Sequence, residues 1–117
     1  MPTMQRIPLV VDALKNAYGN DAMSHDTVEV TVTASMGHGS VLKADLTEVA
    51  DAADAANGTM IIDDLGFDTA GFAVGDTVGV RVLKANAKAR VSVMKYADGA
   101  TATEAALTGL DNSISFE

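Results

Sequence analysis

The sequence predicts a small, β-rich α+β domain, and three observations carry that reading. The stretch TVEVTVTA, residues 27–34, alternates strictly, with Val28, Val30 and Val32 on one face and Thr27, Glu29, Thr31 and Thr33 on the other, the period of a half-buried strand. Further aliphatic runs recur at 40–44, 59–65, 78–82 and 87–93, punctuated by glycine. Helical spacing is confined to short stretches at 9–18 and 101–110, with 47–56 open to either reading. The 117 residues fit one domain.

Taken in order, residues 1–8 carry both prolines and little periodicity, which reads as an extended arm. From Leu9 to Tyr18 the apolar positions Val10, Val11, Leu14, Ala17 and Tyr18 fit one face of a short helix closed by Gly19. Residues 1–26 therefore form an N-terminal arm and short helix, and residues 27–117 the β-rich domain. After the first strand, the glycine-flanked MGHGS turns the chain into a second strand, SVLKA. Residues 47–56, TEVADAADAA, fit either a short helix capped by Thr47 or an Ala/Asp-rich loop. Asn57-Gly58 ends it, and TMIIDDL follows as a strand. GFDTAGFAVGD is a loop. Two strands come next, one with Val78, Val80 and Val82 on a face, the other with Ala87, Ala89, Val91 and Val93. Residues 101–110 read as a helix with Thr103 as a cap, and Ile114 and Phe116 share one alternating face at the end.

Composition bounds both stability and function. Twenty Ala and thirteen Val against five aromatics and no Trp make a core of small pieces, each removing little apolar area from water. Small-residue chains of this size often gain stability by oligomerising. Without Cys there is no disulfide, no thiolate zinc site and no thiol nucleophile. A pI near 4.5 argues against a nucleic-acid partner, and no run approaches the ~18 apolar residues of a membrane span, so no membrane partner is expected either.

Charge is unevenly spread. Residues 81–96, RVLKANAKARVSVMKY, hold five of the eight cations and no acid. Pairing the two strands antiparallel around Ala85-Asn86 sets Val82 against Ala89, Val80 against Val91 and Val78 against Val93, and a one-residue slip would oppose apolar to polar throughout. The same hairpin places Leu83 opposite Lys88 and Arg81 opposite Arg90. Two like charges so opposed cost a few tenths to about one kcal/mol. Such a face either wards off strand addition at an edge or meets acid from a neighbour, for example the segment 45–68 with its six Asp and one Glu. In the second reading Arg81, Lys88 and Arg90 form a basic interface face.

No catalytic or metal site is predicted. His25 and His38 read as surface histidines, and Asp63-Asp64 on successive strand positions point to opposite faces. DTAGFAVGD lacks the oxygen spacing and final Glu of a calcium loop. AVGDTV followed by VMKY superficially resembles the biotinyl-carrier family, which would make Lys95 an attachment lysine, but the hairpin puts Lys95 far from its tip and Tyr96 stands where that family has a second Met.

GSVLKAD at 39–45, NGTMIIDDL at 57–65, the 78–93 strand pair and the closing EAALTGLDNSISFE together resemble the lambda-like head decoration (cement) proteins of tailed bacteriophages, over residues 38–117. The resemblance implies a small single-domain barrel- or tulip-like fold and a homotrimer. It implies a non-enzymatic role without cofactor or metal: docking outside the expanded head and bridging subunits of the major capsid protein. The implied location is the outer surface of the virion, after assembly in the host cytoplasm. An arm such as MPTMQRIPLV adds main-chain hydrogen bonds to an exposed strand edge, so Met4, Arg6, Ile7, Leu9 and Val10 are the expected capsid-binding residues. The alternatives are a biotinyl-like carrier domain and a small acidic binding module.

Overall fold

A computed structural model describes residues 8–13 and 23–117 of the chain. Among the described residues there are seven strands: β1 (Val10–Ala13), β2 (His25–Thr31), β3 (Val41–Lys43), β4 (Gly58–Ile62), β5 (Thr77–Leu83), β6 (Ala87–Ala89) and β7 (Ile114–Phe116). They form two sheets. In the larger, the spatial order is β2, β5, β4, β3, and every neighbour is antiparallel. In the smaller, β6 lies between an antiparallel β1 and a parallel β7. The domain is β-rich as the sequence predicts, but the sheets do not close into a barrel.

Alternation places the core. Val41 and Leu42, Ile61 and Ile62, and Val82 and Leu83 are chain neighbours, so the pleat sends one of each pair to either face of the larger sheet. Val41, Ile61 and Leu83 join Leu9, Ala87, Ala89, Met94, Tyr96 and Ile114 in a cluster between the two sheets. Leu42, Ile62 and Val82 join Val30, Val32, Val80, Met36 and Phe67 in a second cluster on the other face. Burial on both faces explains why MII and VL read as continuous apolar runs rather than alternating ones.

Three sequence expectations about local structure change. The helix over Leu9–Tyr18 is replaced at its start by β1, since Val10 and its neighbours pair with β6; residues 14–18 lie outside the described part of the chain. β1 thus belongs to the folded body, although it falls within the 1–26 segment read as arm and helix. The 47–56 segment forms a 3-10 turn at Ala52–Asn57 whose cap is Asp51, its carboxylate accepting from Asp54 N at 3.1 Å; Thr47 instead donates to Asp45. The helix expected over 101–110 contracts to a 3-10 turn, Glu104–Ala106, after Thr103.

The predicted hairpin does not form. β5 is a central strand whose two edges pair with β2 and β4, so no ladder remains for β6. At the corner, Lys84 N and Ala85 N donate to Ser24 O at 2.8 and 3.4 Å. Asn86 takes a left-handed φ of 53°, which Asn tolerates better than most side chains. Its backbone N donates to Ser113 Oγ at 2.7 Å and its side-chain amide to Met23 O at 2.7 Å. These bonds swing the chain from one sheet into the other, and β6 ends at Ala89 in a 3-10 turn, Val91–Val93.

Short carboxylate-centred turns close the loops. Asp45 accepts from Thr47 Oγ1 at 2.5 Å and Thr47 N at 3.0 Å, and Asp111 from Ser113 Oγ at 2.5 Å and Ser113 N at 2.9 Å. The Thr47 and Ser113 hydroxyls, with the backbone N–H groups second, hold these two carboxyls below the ordinary carboxylate range; for Asp54 the Asn57 amide does so first. A carboxyl with a depressed folded-state pKa stabilises the fold above its unfolded value and loses that contribution as pH falls through the folded value. Melting temperature is therefore expected to fall below about pH 4. Asp45→Asn together with Asp111→Asn should flatten that acid limb in a pH series of thermal melts; an unchanged limb would show that these turns contribute nothing to it.

Candidate functional site

Two constellations bring functional side chains together. The first is buried. Ser24 Oγ lies 2.7 Å from His25 Nδ1, and His25 Nε2 lies 2.6 Å from Asp63 Oδ2. His25, read from the sequence as a surface residue, is only 6% exposed, and Ser24 is fully buried. Arg81 Nη1 approaches the same Asp63 oxygen at 3.8 Å. The register explains the convergence: Thr27 opposes Arg81 across β2 and β5, and Asp63 N donates to Arg81 O on the far side, so all these residues share a sheet face. Alternation gives His25 the same face as Thr27 and Glu29, which are exposed; only the packing at that end of the sheet covers it. With Ser24 fully buried, this Ser–His–Asp chain ties the start of β2 to the segment after β4.

The basic face is not assembled as predicted. Arg81 lies in the larger sheet, Lys88 in the smaller, and Arg90 caps the turn after β6. Arg81 therefore opposes Thr27, not Arg90, and the like-charge pair disappears. Arg90 reaches back to the chain's own start, with Nη1 donating to Pro8 O at 2.8 Å and Nε 3.9 Å from Glu117 Oε2. Acid from the 45–68 segment does meet cations, but within one chain: Asp63 near Arg81, and Asp54 3.4 Å from Lys43.

Of the expected arm residues, Met4, Arg6 and Ile7 lie outside the described residues. Leu9 is fully buried in the cluster between the sheets, and Val10 pairs with Ala89 in β1. These two serve the chain's own core. Lys95 sits between bridges to Ser40 and Thr101, in the interior of the chain's path and not at an exposed hairpin tip.

The second constellation is open, and the sequence reading passed over it as a glycine-rich loop. A groove of about 260 Å³ runs where the end of β2 meets the loop between β4 and β5. Val32, Met36 and Phe67 make its buried floor, and Phe72 and Val74 rise at the rim, 39% and 69% exposed. Phe67 and Phe72 meet edge to face with ring centroids 5.3 Å apart, a favourable aromatic geometry. The loop is fastened at its return: Gly75 N donates to Val32 O and Val32 N to Asp76 O, both at 2.8 Å, and Asp76 Oδ2 accepts from Ala73 N at 3.0 Å. On the other side His38 Nδ1 accepts from Asp64 N at 3.1 Å, and Asp68 Oδ1 accepts from His38 N at 3.3 Å. Asp68 is the charged residue of the lining. The floor is apolar, and at the edge the Asp68 carboxylate stands beside the Lys95 ammonium next to Gly37. The signal in the sequence was the pair of Phe residues five apart, 67 and 72, in a segment otherwise polar or small.

Among the described residues, no group of three or more His, Asp or Glu is arranged to hold a metal ion, and no helix is long and apolar enough to cross a membrane. Comparison with protein families, with curated proteins and with solved structures finds no match to this chain.

Proposed function

We propose that the protein is a non-enzymatic capsid decoration protein of the lambda-like kind, a homotrimer that binds the outside of an expanded phage head and braces neighbouring subunits of the major capsid protein. The observation that carries the reading is the gathering of exposed apolar side chains on one acidic loop. Leu65, Phe72 and Val74 fall within ten residues and make three of the five large hydrophobic residues exposed among those described. A domain that works alone gains nothing from such a patch; one that lends surface to other subunits does. The division of a small-residue core into two modest clusters supports the same reading, because each copy then gains from burial against others. The tulip-like variant of the fold belongs to this proposal. Weak contacts repeated three times gain from effective concentration, which suits a clamp added after the shell has expanded.

Light scattering on purified protein tests the first half. The expected mass is three times the 12.0 kDa of one chain. Co-sedimentation with expanded lambda-like heads stripped of their own decoration protein tests the second, and the expected result is saturable binding that protects the heads from heat. Protein that remains a monomer and stays in the supernatant would remove the proposal.

A further inference from the structure

Among the described residues, the larger sheet has one closed outer edge and one open one. On β3 the outer groups are taken: Val41 N donates to Lys95 O at 3.0 Å, Val41 O accepts from Val49 N at 2.9 Å, and Lys43 N donates to Thr47 O at 2.8 Å. On β2 the ladder to β5 uses the even positions. Lys84 N donates to Ser24 O and Val32 N to Asp76 O, both at 2.8 Å, and the two-residue period between these ends turns Asp26, Val28 and Val30 toward β5. The N–H and C=O groups of Glu29 and Thr31 therefore point outward, and among the described residues they have no partner. Thr27 N points the same way and is met by Asp26 Oδ1 of its own strand at 2.9 Å. Native edges are commonly blunted by Lys, Pro or a bulge, and β2, HDTVEVT, has none of these along an unbroken register.

We propose that this edge is a strand-addition site for an extended segment of a partner protein in which aliphatic side chains alternate with Lys or Arg. Glu29 and Thr31 offer main-chain donors and acceptors about 7 Å apart, the two-residue repeat of any extended chain. The pleat sorts the incoming side chains. On one face they lie beside Val28, Val30 and Val32, and a strand that continues past Thr31 runs into the groove, whose wall there includes Val32, Thr33 and Ala34. On the other face they lie beside Thr27, Glu29 and Thr31, all exposed. Glu29 makes no ion pair among the described residues. At the far end of the same face the Thr33 and Ser35 hydroxyls donate to Glu48, which makes none either. Residues 25–36 hold no Lys or Arg. A second copy paired through β2 would set one cation-free acidic face against another, whereas Lys or Arg beside Glu29 complements it. Charge thus selects a basic partner strand over self-pairing. The inference goes beyond the capsid reading and does not rest on it.

Amide hydrogen exchange on isotope-labelled full-length protein reads the contact residue by residue. The probe is the synthetic peptide KVKVKV, blocked at both ends. EVEVEV is the charge control, and KVKVKV methylated on alternate backbone nitrogens is the main-chain control. Without peptide, the Glu29 and Thr31 amides are expected to exchange about tenfold or more faster than those of Val28 and Val30, which are bonded to β5. Millimolar KVKVKV should slow Glu29 and Thr31 several-fold and leave Val28 and Val30 unchanged. EVEVEV should bind several-fold more weakly, and Glu29→Lys should reverse the order of the two peptides. Thr31→Pro removes an outward N–H and no bond to β5, so it should abolish peptide binding in a domain that still melts cooperatively. Unchanged exchange at Glu29 and Thr31 in millimolar KVKVKV would overturn the proposal, as would equal binding of EVEVEV or of the methylated peptide. Protection of the same amides that rises with protein concentration alone would overturn it in favour of a second copy. Protein that gives the expected protection but ignores expanded heads loses only the function proposed above, and protein that binds heads with its edge amides unprotected by KVKVKV loses only this inference.

Discussion

Gly39→Ala is expected to destabilise the fold by about 3–5 kcal/mol, enough to unfold much of a domain of ordinary stability. Gly39 has φ of +90°, a conformation that a side chain resists. A Cβ added there would lie 2.0 Å from the carbonyl oxygen of Val93, which is backbone and has nowhere to go. The position matters because three segments cross at it: Gly39 N donates to Ile62 O at 2.8 Å, and Lys95 N donates to Gly39 O at 2.9 Å. Relieving the clash means parting the chain around Ser40 from that around Lys95, and with it the bridge that ties β3 to the C-terminal part of the molecule. Gly75→Ala separates conformational strain from close approach. Its φ is also positive, at +95°, but a Cβ there meets nothing within 4 Å, so the expected loss is about 1 kcal/mol. Urea melts of the two variants measure the contrast. Equal midpoints would mean that the backbones do not approach at Gly39 as described.

Leu9→Ala carries the second large effect, about 2–5 kcal/mol, which corresponds to a drop in Tm on the order of 10 °C or more. Leu9 is 0% exposed and lies among Ile61, Leu83, Met94 and Tyr96, where the two sheets meet. Truncation leaves a cavity at the joint between the sheets, because close-packed neighbours refill only part of the lost volume. A free arm residue that contacts only the shell would leave the isolated protein's Tm unchanged. The measurement thus decides between the two roles for Leu9. Val11, two residues on in β1 but 39% exposed, is the internal control, with Val11→Ala expected to cost less than about 1 kcal/mol. If the two variants melt alike, Leu9 does not belong to the core.

Both predictions concern contacts between segments far apart in sequence, which shows where sequence reasoning reached its limit. Strict alternation at 27–34 located β2 with its buried Val30, and Val32 just past its end, and aliphatic runs bounded by Gly and Asp located β3, β4 and β5. Those signals are local: side-chain period and turn chemistry act within a few residues. The hairpin failed for a non-local reason. Pairing β5 with β6 satisfied every apolar contact that either strand could reveal, but β2 and β4 competed for the same two edges of β5 and won. With the hairpin went the opposed arginines and the single basic face.

The same distinction runs through the candidate sites. His25 lies on the exposed side by alternation, and its burial comes from packing at the end of the sheet that no period records. Asp63 meets it across β5, thirty-eight positions later in the chain. The groove joins the end of β2 to a loop that reads as glycine-rich punctuation, and Phe67 and Phe72 become a floor and a rim only once Gly75 and Asp76 are fastened to Val32.

What the sequence by itself determined is the class of the domain, the positions of most of its strands, the smallness of its core residues and its acidic balance. These follow from side-chain volume, charge and the two-residue period of extended backbone. Only the tertiary structure decided which strand edges pair, that Leu9 is interior, and where apolar surface is left uncovered. Those outcomes depend on competition among distant segments for the same hydrogen-bonding edges and the same volume, and no local pattern encodes the winner.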